Sequence, residues 1–135
     1  MLWIKGLLKN EKAQSMVEFA LILPIIILLL FGILEFGRIY YSQIVLVRTA
    51  REAVRMCALG KSDQEVIDKI FEITPLPDTM ENLRVEEILP PEGERKTGDA
   101  VTVKISYKLP LITPFFFSSP ANLLTLKAQA TMRME

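Results

Sequence analysis

The chain has 135 residues, 16 basic and 16 acidic side chains, no histidine and a single cysteine, Cys57. This excludes an intramolecular disulfide, a Cys/His metal centre and a histidine-based catalytic triad. Zero net charge supplies no global attraction to nucleic acid.

Charge is unevenly spread. Phe19 to Leu34 carries none, whereas Arg38 to Asp99 is dense in it. As a helix, Phe19–Leu34 spans about 24 Å, and the half-apolar turns "SMV" before it and "EFGRIYY" after it bring the run to the ~20 residues that a bilayer demands. A domain this small could not cover such a helix on every side, which argues against a buried core helix. A cleaved secretory signal would be followed by small residues of the A-x-A type, but "EFGRIYYSQ" follows instead, so the segment is predicted to be retained.

Lys5, Lys9 and Lys12 precede the run and Arg38, Arg48, Arg51 and Arg55 follow it, close to a tie in positive charge. A trailing domain crosses regardless of its charge, which favours a cytoplasmic amino-terminus. Tyr40 and Tyr41 fall at headgroup depth. Pro24 leaves the Ala20 carbonyl without its N–H, predicting a kink there.

Glu18 stands at the mouth of the apolar run. An unpaired carboxylate is costly in lipid, so it either marks the interface, solvated by headgroups, or meets a cation. A cut between Ala13 and Gln14 would free an α-amine four residues before Glu18, largely protonated at neutral pH. If that amine came from a neighbouring subunit, the pair would set the register between two membrane helices. Glu35 lies about 25 Å further along, so the two acids bracket the membrane. Arg38, one turn beyond, is placed to neutralise Glu35 in part.

From Arg38 to about Leu59 the helical pattern continues, with Ile44, Val47, Ala50, Val54, Cys57 and Ala58 as an apolar stripe and Arg48, Arg51, Glu52 and Arg55 opposite. Gly60 is a stop signal. Cys57 reads as a small core residue. Ser62-Asp63-Gln64-Glu65 has capping-box form and opens a helix to about Glu72, which "TPLP" ends. Leu83–Leu89 reads as a strand disturbed by Glu86-Glu87, a bulge signal.

"PPEGERKTGD" reads as a polar loop. Val101 to Leu109 and Leu124 to Met134 then alternate apolar and polar residues, predicting strands with one buried and one wet face. Phe115, Phe116 and Phe117 lie between them, placed to close the sheet's end, touch the bilayer or meet another subunit. The fold class expected is α+β: a long N-terminal helix, membrane-spanning in its first half and amphipathic in its second, on an antiparallel sheet of about three strands.

The segment "QSMVEFALILPIIILLLFGILEFGRIYYSQIVLVRTAREAVR", with its VEFAL…LP, EFGR and AREA elements, resembles the TadE-like pseudopilins, minor subunits of the tight adherence (Flp-type) pilus machinery. The tail "VTVKISYKLPLITPFFFSS…LTLKAQATMRM" resembles their carboxyl end. The resemblance implies a leader over residues 1–13, a transmembrane helix over 14–38, an amphipathic continuation over 39–60 and an extracytoplasmic α+β domain over 61–135. It implies cleavage by a prepilin peptidase with Ala13 before the cut and Gln14 as the new terminus, although the family's usual residue before the cut is glycine. Gly6 offers a rival register, rejected because Lys12, Gln14 and Ser15 would interrupt the apolar segment.

Partners implied are that peptidase, other pilins and pseudopilins, an inner-membrane assembly platform and the lipid bilayer, with no cofactor, no metal and no nucleic acid. The residues form no recognisable catalytic set, so a structural and assembly role in the cell membrane or pilus is expected. The competing expectation is an uncleaved single-pass protein displaying a small binding module.

Overall fold

The computed structural model describes residues 11–112 and 122–135. Phe115, Phe116 and Phe117, and Gly6 with the rest of the leader before Glu11, lie outside the described residues. Helix α1, Glu11–Ala58, carries helical backbone through Pro24. The chain divides into two compact units, Met1–Phe36 and Gly37–Glu135. In the first unit the large apolar side chains from Met16 to Phe36 are exposed.

The second unit holds the core. Here α1 continues to a C-terminal Schellman closure: Gly60 takes φ +79°, its N–H bonds the Cys57 carbonyl at 3.0 Å, and the Lys61 N–H bonds the Met56 carbonyl at 3.1 Å. Helix α2, Asp63–Ile73, is capped by Ser62, whose Oγ accepts from the Glu65 N–H at 3.3 Å, while the Glu65 carboxylate pairs with Lys61 at 3.3 Å. Thr74 ends it. The short helix α3, Thr79–Asn82, then leads into β1, Leu83–Leu89. A 3-10 turn, Glu92–Glu94, precedes β2, Ala100–Pro110, which is followed by β3, Leu123–Arg133. The fold is α+β, with the sheet antiparallel in the order β1-β2-β3.

The sheet's apolar face carries Val101, Val103, Ile105, Tyr107 and Leu109 from β2, with Leu126 and Ala128 from β3. Leu46, Ala50, Val54 and Cys57 from α1 complete the same cluster, together with Val66 and Ile70 from α2. The phase of α1 corrects the expected stripe. Val45 and Leu46 are buried while Ile44 is exposed and Val47 only half-buried. Four apolar residues in a row fit either phase. The buried hydroxyl of Thr49, 3.3 Å from Thr74 Oγ1, belongs to the observed one. Met132, expected on the apolar face of β3, is exposed near the strand's end.

The register between β1 and β2 slips between Val85 and Glu87, so the bulge falls where the broken alternation placed it. It lets two successive acids reach lysines of the wet face: Glu87 pairs with Lys104 at 2.8 Å and Glu86 with Lys127 at 3.7 Å. The Leu111 N–H bonds the Asn122 carbonyl at 2.8 Å. Counting pairs from there, Thr125, Lys127, Gln129 and Thr131 turn their backbone groups away from β2. Gln43 Nε2, from α1, donates to the Lys127 carbonyl at 3.0 Å.

Candidate docking segment

The apolar half of α1 begins with Glu11, Ala13 and Gln14 in its first turn. Ser15 Oγ donates to the Glu11 carbonyl at 3.0 Å, and Gln14 Nε2 approaches Glu18 Oε1 at 3.5 Å. The Ala13–Gln14 peptide is helical and the Glu18 side chain exposed. From there the exposed surface is apolar up to Phe36, and α1 is the one helix among the described residues long and apolar enough to cross a membrane. Pro24 lies about one turn and a half past Glu18.

The remaining residues assigned to the membrane interface from the sequence are distributed differently. Glu35 is 2 % exposed. In the second unit, Arg38 donates to the Pro110 carbonyl at the end of β2, while Tyr40 and Tyr41 are exposed.

Residues 13–55 match the TadE-like protein family. The match covers about a third of the chain and takes in the Ala13–Gln14 peptide, Glu18, the whole apolar run and most of the amphipathic continuation. Over that segment the chain is similar to the TadE-like proteins, a family associated with the tight adherence pilus. No curated protein and no solved structure matches the chain.

Beyond the TadE-like segment, the structure brings together side chains that the sequence kept apart. Arg95, expected in a solvated loop, has a side chain only 4 % exposed, which pairs with Asp63 and donates to the Pro90 carbonyl at 2.8 Å. Glu92 Oε2 accepts from the Asp63 N–H at 3.1 Å. The loop is thereby fastened to the start of α2, beneath which Cys57 is buried. Burial pushes the Cys57 thiol up, against the nearby Arg95 charge and with that of Asp63. Tyr107 is also raised, first by desolvation and then by Asp78, and its hydroxyl donates to the Pro77 carbonyl at 2.8 Å. On the wet face, the hydrogen bond and charge of Glu87 raise Lys104.

Proposed function

We propose that the chain is a minor pilin or pseudopilin of a tight adherence (Flp-type) system, inserted amino-end-in and trimmed between Ala13 and Gln14. Residues 1–13 are then the leader and 14–38 the membrane span. Residues 39–60 continue the helix, and 61–135 form the extracytoplasmic domain. The family match over residues 13–55 carries this reading, because it takes in the cut, the acid and the apolar run as one block.

The chemistry is consistent. Trimming creates an α-amine at the start of α1, where the positive end of the helix dipole disfavours a cation. A carboxylate in a poorly hydrated setting is disfavoured for the opposite reason. Glu18 of one subunit and the new terminus of its neighbour relieve each other, and the contact fixes the axial register of two spans. Because the Ala13–Gln14 peptide is helical, a prepilin peptidase engages it only after the helix opens locally at that peptide.

The partners are the peptidase, the assembly platform of the inner membrane and other pilins. Mass spectrometry of the membrane-extracted protein is expected to give an amino-terminus at Gln14. Residues 2–13 retained on a fully expressed chain would instead identify an uncleaved display protein. Glu18→Gln is expected to leave insertion intact and to reduce recovery of partner pilins severalfold. Undiminished recovery counts against docking through Glu18.

A further inference from the structure

Three hydrogen bonds lay the sheet along the helix of the Gly37–Glu135 unit. At one end the Glu135 N–H bonds the Ala58 carbonyl at 3.3 Å. Midway, Gln43 Nε2 reaches the Lys127 carbonyl. At the other end Arg38 donates to the Pro110 carbonyl. The lengths agree: Arg38 to Ala58 is about 30 Å of helix, and Ala100 to Pro110 is about 33 Å of strand. β2 therefore starts beside the end of α1 and runs back to Arg38. The Leu111 N–H, bonded to the Asn122 carbonyl, carries the ladder one residue further. Ile112 is then the second residue past the one that Arg38 holds.

The wet face of the sheet changes character at that end. Elsewhere it carries Thr102, Lys104 and Lys108 from β2 and Thr125, Lys127 and Gln129 from β3. The same alternation leads on to Pro110, which pairs with Leu123, and then to Ile112. The polar series stops at the Lys108–Thr125 pair, and only apolar residues follow it. Pro110 is exposed, and Ile112 is 62 % exposed. A single exposed isoleucine needs no explanation; its place gives this one meaning.

Arg38 follows Leu34, the last residue of the uncharged run, by four residues, about 6 Å of helix. Pro110 is held within reach of the Arg38 side chain. The end of the hairpin therefore stays beside the point at which the chain enters a bilayer, whatever angle the sheet takes to it.

We infer that this end of the sheet, Pro110, Ile112 and Leu123, is a second membrane contact, and that its ligand is the boundary between lipid headgroups and acyl chains. Ile112 enters the acyl side. Lys108, about 13 Å of strand behind it, keeps its ammonium in the headgroup layer with its stem along the apolar surface. A protein would have to wedge itself between the sheet and the bilayer to cover the same residues, so lipid is the occupant. One attachment, through α1, sets the height of the sheet above the membrane. A second sets its tilt.

The inference rests on the reading of residues 14–38 as a membrane span, and the experiment keeps the two apart. The full chain carrying Ile112→Cys is labelled with a nitrobenzoxadiazole probe and placed in phosphatidylcholine vesicles, with or without nitroxide groups on the acyl chains. Cys57 has no exposed surface, so the native chain treated alike supplies the background. The nitroxide is expected to quench the probe at position 112 severalfold, and one at Ile26→Cys, within the span, at least as strongly. A probe at Thr131→Cys, on the same face but at the far end of the strand, is expected to stay unquenched. Leu123→Cys replaces Ile112→Cys if that variant does not fold, with the same quenching expected.

Quenching at position 26 with none at the hairpin end overturns the inference and leaves the span standing. Quenching at neither overturns both. A hairpin probe shielded from aqueous iodide yet indifferent to the nitroxide is covered by protein, which also overturns the inference.

Discussion

Cys57 has no exposed surface, and its consequence is a pH dependence. In the unfolded chain a thiol ionises near pH 8.5, while burial holds that of Cys57 protonated to higher pH. The folded state therefore retains a proton that the unfolded state releases. Its stabilising share is complete below about pH 8.5 and is lost as pH rises toward the folded value. Tyr107 repeats the effect from about pH 10 upward. In urea titrations of the full chain in detergent, stability is expected to fall by about 1 kcal/mol between pH 7 and 9.5, and Cys57→Ala to flatten that decline. An unchanged slope would show that the thiol ionises alike in both states. Cys57 was legible as a core residue from its place on the helical stripe. Its neighbour Arg95 was not, because burying a guanidinium depends on Asp63, thirty-two residues away, and "GERK" read locally is a solvated loop.

At the scale of the element, Gly60 decides where α1 stops. Its φ of +79° lies in the region that side chains disfavour, and a Cβ there would have open space around it. The cost of substitution is therefore one of backbone conformation alone. Gly60→Ala is expected to destabilise the Gly37–Glu135 unit by about 1 kcal/mol, and Gly60→Asn by less, since Asn tolerates the left-handed region. Urea midpoints check both. The stop, the Ser62 cap and the β1 bulge were all legible because each is written within four residues. The phase of α1 was not: Ile44, Val45, Leu46 and Val47 offer an apolar side chain to every direction the helix could turn. The burial of Ser42 and Thr49, two hydroxyls that a hydrophobic reading passes over, accompanies the choice.

On the scale of the whole molecule, every residue of the apolar cluster follows Gly37. The apolar side chains from Met16 to Phe36 have no such cover. A chain beginning at Gly37 is accordingly expected to stay folded in detergent-free buffer and to unfold in one cooperative step by circular dichroism. The chain that keeps Met16–Phe36 is expected to need detergent or lipid. Aggregation of the shorter chain would mean that the apolar half of α1 contributes to the core after all. The division of labour was legible in the uncharged run and the two alternating stretches.

The bond from Gln43 to the Lys127 carbonyl bears on crowding. An open strand rim invites neighbouring sheets to fuse, the more so where an apolar helix such as α1 would gather copies in a membrane. Here the helix lends an amide to the middle of that rim, and Arg133 adds an exposed cation near its end beside Lys127, which shares its charge with Glu86. Fusion would first have to strip the amide away and then bring cations face to face, so molecules packed side by side can remain separate solutes.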